Sequence, residues 1–248
     1  MLDAFSMLQL AWAAGVMFSA YVLRGMSGFG AGLIATPMLA LVLPMTIVVP
    51  VTALVVFVLF IMLTLRDRKQ VLWDEFKRLV LPTLVGVAGG MYLFTVLDNR
   101  LLLKLLGGFL VTYSIYMLAA QWLGMKQMRL SEKWAAPLGF SGAFIDTLFG
   151  GGGGTLVVIY MHGRGVGKLE FRATLAVLWF VEMIARISGY MLAGYYTPST
   201  LELVAVMLPF MVLGTWVGEK ITVHVSQQMF TKILAVMLLL SGASLLLK

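Results

Sequence analysis

The 248-residue chain contains no cysteine. That absence excludes disulfides, thiolate metal sites and a cysteine nucleophile. Histidine is nearly missing too: His162 and His224 are the two present, too few for the ligand sets of zinc or haem enzymes. Charged residues make up 12% of the chain, about half of the roughly 25% found in soluble domains. A water-facing surface cannot be furnished from that inventory. The start, Met1-Leu2-Asp3, lacks the basic stretch of a signal peptide, so the first apolar segment is expected to stay in the protein. What fills the chain instead is apolar: 61% hydrophobic residues and a mean hydropathy of +0.98. The net charge of +7 would suit nucleic acid. Its cations cluster in loops between apolar segments, however, a pattern that membrane topology explains better. The expected partner is a lipid bilayer, with no nucleic acid, metal or cofactor; a homodimer is left open.

An unusual passage occurs twice. Trp12-Ala13-Ala14, Phe18-Ser19, Gly28, Gly30 and Gly32 recur 122 positions on as Trp134-Ala135-Ala136, Phe140-Ser141, Gly150, Gly152 and Gly154. Thr52 falls on Thr174 at that offset, and Gly86, Gly90 and Lys104 find Gly214, Gly218 and Lys232 at an offset of 128. Two copies spanning the chain point to a duplicated membrane protein with interrupted helices. The reading is a first repeat over 1–123, a cytoplasmic linker over 124–134 and a second repeat over 135–248.

Ten apolar segments are predicted, at about 5–23, 30–43, 46–65, 79–97, 101–123, 135–148, 153–162, 172–194, 202–222 and 228–247. The second and seventh are too short to span, since about 20 helical residues are needed. Each is expected to pair with the segment before it, as a broken helix or a hairpin that turns back. Each half then crosses an odd number of times, which makes the second inverted relative to the first. The basic residues agree. With 124–134 in the cytoplasm, thirteen of the 18 Lys and Arg fall on that side and three on the other, leaving Arg24 and Arg186 inside apolar segments. The expected fold is an all-α polytopic membrane protein of two inverted repeats, with both termini outside.

The chemistry is expected at the glycine breaks. Arg24-Gly25-Met26-Ser27-Gly28-Phe29-Gly30-Ala31-Gly32 forms the first, and Asp146-Thr147-Leu148-Phe149 followed by Gly150 through Gly154 and Thr155 the second. A run of glycines interrupts a helix at about 1 kcal/mol per residue relative to alanine. The short helix that follows presents free N–H groups and the positive end of its dipole to an anion. Two such ends, one from each half, would converge near the midplane. The competing explanation is that the glycines only permit close helix packing. No nucleotide loop is present, because Leu33 and Thr155 stand where GxGxxG needs its last glycine.

Four ionisable residues lie deep in apolar segments: Arg24, Asp146, Glu182 and Arg186. Buried charge in lipid costs several kcal/mol and marks function or a partner. Arg24 and Asp146 occupy equivalent repeat positions with opposite charge. Glu182 and Arg186, at i and i+4, can pair on one helix face. Candidate substrate-binding residues are therefore Arg24, Ser27, Gly28, Gly30, Gly32, Gly150, Gly152, Gly154, Thr155 and Arg186, with Asp146 and Glu182 as coupling residues. His162 is expected at the interface. Alternatives are a passive anion channel, or a membrane-embedded enzyme or assembly factor using Asp146 or Glu182.

At these motifs the sequence resembles the TauE/SafE family of sulfite and organosulfonate exporters. Gly28-Phe29-Gly30-Ala31-Gly32 with Pro37 matches that family's first glycine signature, and Val49-Pro50-Val51-Thr52 its following helix start. Gly150 through Gly154 and Arg172-Ala173-Thr174 match the second, with Ile159 in place of the second proline. The resemblance implies proton-driven transport of anions such as sulfite, thiosulfate or sulfoacetate.

Overall fold

A computed structural model describes residues 5–27, 30–67, 70–123, 129–221 and 227–247. They form ten α-helices, with a 3-10 turn at Glu132–Trp134 between the fifth and sixth, and no strand among the described residues. The helices are α1 (Met7–Ser27), α2 (Ala31–Ala40), α3 (Met45–Asp67), α4 (Trp73–Val96) and α5 (Asn99–Trp122), then α6 (Ala135–Phe149), α7 (Gly154–Gly163), α8 (Lys168–Leu192), α9 (Pro198–Lys220) and α10 (Gln227–Leu246). Each predicted segment has its helix. Five of the described helices are long and apolar enough to cross a bilayer: α1, α4, α5, α8 and α9. The protein is an all-α polytopic membrane protein.

Helix ends follow local chemistry. Asp98 caps α5 by accepting from Leu101 N–H at 2.7 Å. Asn99 then accepts from Met45 N–H at 2.7 Å, so the start of α5 also caps α3. Thr197 precedes Pro198 at the start of α9 and accepts from Thr200 N–H. The helices α4, α8 and α9 begin well before their apolar runs. Asp74 and Glu75 form the first turn of α4, and Glu170 lies in that of α8, where acidic residues complement the helix dipole. Val49–Thr52 lies inside α3, and Arg172–Thr174 inside α8, rather than at a helix start.

Both short helices turn back. α2 and α7 have ten residues each, about 15 Å, which is half a bilayer core. Trp12 Nε1–H, near the start of α1, donates to Met38 O, near the end of α2, at 2.9 Å. Leu130 N–H, just ahead of α6, donates to Gly163 O at the end of α7, also at 2.9 Å. Each pair is thus a re-entrant hairpin whose ends return to one side.

The chain divides into two compact units. Unit 1 comprises Met1–Thr52, Leu97–Lys126 and Thr197–Lys248; unit 2 comprises Ala53–Val96 and Gln127–Tyr196. Each unit therefore draws helices from both repeats. In unit 1, α1 packs on α9, and α10 packs on both α5 and α2. In unit 2, α4 packs on α6 and α8, and α6 on α7. The repeated glycines make the principal contacts. In unit 2 a Cβ on Gly86 would overlap Phe140 O, and one on Gly90 would sit 2.8 Å from Phe144 O. In unit 1 a Cβ on Gly214 would sit 2.5 Å from Phe18 O, and one on Gly218 would overlap Val22 O. Glycine is required at all four because a backbone carbonyl lies against each Cα.

These contacts also give direction. Moving up α9 from Gly214 to Gly218 moves up α1 from Phe18 to Val22, so the two helices run parallel. Gly86 and Gly90 against Phe140 and Phe144 make α4 and α6 parallel in the same way. In any repeat that opens with a returning hairpin and then crosses twice, the fourth helix runs opposite in direction to the first. A same-orientation repeat would therefore make α9 antiparallel to α1. The observed parallel pairing is what inversion requires.

The core of unit 2 gathers Leu79, Ala135, Val157, Tyr160, Met161, Leu175 and Leu178. At its edge, Phe60 tilts against Trp179 with ring centroids 5.5 Å apart, and Thr64 Oγ1–H donates to Ala176 O at 3.2 Å. The core holds α7, which carries the second glycine break, against α4 and α8.

Candidate functional site

Unit 2 places the second glycine motif beside a buried charge cluster. α6 ends at Gly150, which takes a left-handed conformation at φ 77° and donates its N–H to Asp146 O at 2.8 Å. Gly152 is left-handed as well, at φ 104°. Two such residues turn the chain sharply enough for α7 to start at Gly154, immediately beside α6. Asp146 then reaches across the break: its Oδ1 accepts from Gly153 N–H at 2.8 Å. The second carboxylate oxygen faces Gly154, where an added Cβ would lie 3.3 Å from it and 3.1 Å from the Trp179 ring. One acidic side chain therefore occupies the positive end of α7. Thr155 is the second residue of that helix.

α8 supplies the rest. Glu182, Arg186 and Tyr190 follow at i, i+4 and i+8 on one face, exposed by 2%, 1% and 0%. Arg186 Nη1 lies 3.7 Å from Glu182 Oε1, beyond hydrogen-bond distance. Arg186 Nε and Nη2, and Glu182 Oε1, have no hydrogen-bond partner among the described residues. Tyr190 donates to Thr147 O at 2.5 Å and turns its hydroxyl toward the guanidinium. The charges of Asp146, Glu182 and Arg186 act on one another. Such a cluster is expensive in a low-dielectric interior unless its open positions are filled.

Unit 1 carries the first motif. Arg24 is in the last turn of α1, half-buried, and the charged group acting on it is the Glu219 carboxylate. Gly30 is left-handed at φ 91° and precedes α2, which no side chain caps. Gly32 is the second residue of α2. Gly28 lies outside the described residues, as does the side chain of Ser27. Asp146, Glu182, Arg186, Gly150, Gly152, Gly154 and Thr155 are thus brought into one unit, while Arg24, Gly30 and Gly32 belong to the other.

Sequence reasoning missed three features. Tyr190 was legible, since it extends the i, i+4 series of Glu182 and Arg186. The bond from Gly153 to Asp146 follows no helical spacing and was not. Nor was a ring of charges at the far end of α7. Glu75 accepts from Tyr160 O–H at 2.5 Å, from Arg164 Nε at 2.9 Å and from Arg78 Nη1 at 3.1 Å. Glu132 closes it, 2.9 Å from Arg78 Nη2 and 3.1 Å from Arg164 Nη2. The hydrogen bond to Glu75 holds the Arg164 guanidinium above the ordinary arginine range. α7 is thereby fixed at both ends, by Asp146 and by the ring. His162 stacks on Phe171 with ring centroids 4.6 Å apart.

A family model described as Sulfite exporter TauE/SafE matches residues 13–245 of the chain. No match was found among curated proteins or among solved structures.

Proposed function

The chain belongs to the sulfite exporter TauE/SafE family, and from that premise we propose that it carries small sulfur-containing anions across the bacterial cytoplasmic membrane by proton-coupled secondary transport. Sulfite, thiosulfate, sulfoacetate and related organosulfonates are the substrate class, and export is the direction that the family's description suggests. Both termini lie outside and the 124–134 linker in the cytoplasm, as the distribution of Lys and Arg favours.

One observation carries the anion reading: Arg186 is buried and two of its donor nitrogens have no partner among the described residues. An orphaned buried donor costs about 1–3 kcal/mol, more when charged. A sulfonate or sulfite group offers the matching acceptors, because a guanidinium fork grips two oxygens at once. Arg186 is therefore assigned as the main substrate ligand, with the α7 N-terminus at Gly154 and Thr155 beside it. Arg24 and the start of α2 make a second, weaker anion-attracting point in unit 1. Asp146 and Glu182 are assigned to proton coupling.

Counterflow in proteoliposomes, with labelled sulfite, thiosulfate and sulfoacetate against sulfate and chloride, tests the reading. Sulfur oxyanions or sulfonates should exchange and chloride should not. Arg186→Gln should abolish exchange, and Arg186→Lys should impair it at least tenfold despite keeping the charge, since an ammonium cannot chelate two oxygens. Full exchange by Arg186→Gln would refute the assignment.

A further inference from the structure

We propose that Asp146 is an internal stand-in for the substrate: its carboxylate occupies the anion position at the start of α7, and the transported anion displaces it as Asp146 takes up a proton. The inference rests on the anion-transport reading and adds how substrate and proton are linked.

The geometry supplies the first argument. The N-terminus of α7 is an anion site already filled, with Gly153 N–H donating to Asp146 Oδ1 at 2.8 Å and the other carboxylate oxygen facing Gly154. The occupant is tethered by its own helix, so it can be exchanged without leaving the protein. The second argument is independent. The neighbouring guanidinium of Arg186 keeps Nε and Nη2 without a partner although it is 1% exposed. Asp146 therefore fills one half of an anion site and leaves the other half open. A sulfonate in reach of both would bond the amides and the guanidinium together.

Charge balance supplies the third. The groups facing Asp146 are the Gly153 and Gly154 amides from α7 and Glu182, Arg186 and Tyr190 from α8. α4 presents Gly90 to this stretch of α6, and its charged residues lie in its first two turns. Two carboxylates thus oppose one cation. Adding an anion while both stay ionised would leave two uncompensated negative charges in a buried site, which costs several kcal/mol per charge. The displaced carboxylate has lost its amide donors and is the group to neutralise. The step is Asp146 carboxylate plus an aqueous proton giving the carboxylic acid, with no other bond made or broken.

The test is binding linkage on the purified full-length protein in nanodiscs. Thiosulfate and a sulfonate are the probes, because they stay fully ionised from about pH 6 to about pH 8, where sulfite itself titrates. Titration calorimetry in buffers of different ionisation enthalpy counts protons. The wild type should take up about one proton per anion, and its affinity should fall by up to about tenfold per pH unit. Asp146→Asn, which keeps an acceptor for Gly153, should bind with pH-independent affinity and no proton uptake. Glu182→Gln should retain uptake. Binding without proton uptake in the wild type would overturn the proposal, as would full uptake by Asp146→Asn or its loss in Glu182→Gln alone. If Asp146→Asn does not fold, the wild-type proton count decides. Failure of every probe to bind would instead refute the transport reading itself.

Discussion

Replacing Gly214 by alanine tests how the repeats are packed. The new Cβ would lie 2.5 Å from Phe18 O and 3.1 Å from the Tyr21 side chain, about 1 Å inside ordinary carbon–oxygen contact. The obstacle is a helix carbonyl, which cannot rotate aside without breaking its own hydrogen bond. α1 and α9 must separate instead, and the flanking side chains lose contact along the seam. Overpacking of this kind costs about 1–3 kcal/mol. Gly86→Ala meets Phe140 O more closely still in unit 2, so its cost should be at least as large. Gly108 is the control, a glycine inside α5 with no atom within 4 Å of an added Cβ. There alanine should stabilise by about 0.5–1 kcal/mol through lower unfolded-state freedom. A chain of this length shifts by about 2–4 °C per kcal/mol. Tryptophan-fluorescence melting in detergent should therefore fall by several degrees for Gly214→Ala and Gly86→Ala, and hold or rise slightly for Gly108→Ala. Equal melting of Gly214→Ala and wild type would refute the parallel α1–α9 seam, and equal loss at Gly108 would show that glycine content alone matters.

Glu75→Gln should destabilise by about 3 kcal/mol in the same assay, because it removes the buried charge paired with Arg164 and Arg78 and turns one of the two acceptor oxygens into an amide donor. Glu132→Gln, at the half-exposed side of the ring, should cost under about 1 kcal/mol. The absence of native cysteine makes topology directly testable: an impermeant thiol reagent on intact cells should modify Ser199→Cys and not Ser131→Cys. Arg24→Gln should lower the apparent affinity for the transported anion several-fold while leaving exchange measurable, where Arg186→Gln abolishes it; the reverse order would make Arg24 the principal ligand.

Much of this molecule was legible one segment at a time. A bilayer demands about 20 apolar residues per crossing, so run length alone separated the spanning helices from the ten-residue α2 and α7. Left-handed backbone favours glycine, so Gly30, Gly150 and Gly152 marked the breaks. Inversion followed from counting crossings and charges. Helix starts were less legible at α4 and α8, because their first turns carry Asp74, Glu75 and Glu170 and do not register as apolar. What the sequence could not decide was everything that depends on which helix meets which. The i, i+4 spacing of Glu182 and Arg186 permits a pair, yet the side chains settle at 3.7 Å and leave donors open. Gly86 and Gly214 declare themselves as repeated glycines, but only packing shows that each receives a carbonyl from the other repeat's first helix. Asp146 meets Gly153 because the two left-handed glycines fold α7 back onto α6, and Glu75 meets Arg164 because the same hairpin carries the end of α7 to the start of α4. Local runs are set by solvent, which every residue feels independently; partners are set by the path of the backbone, which no single segment contains.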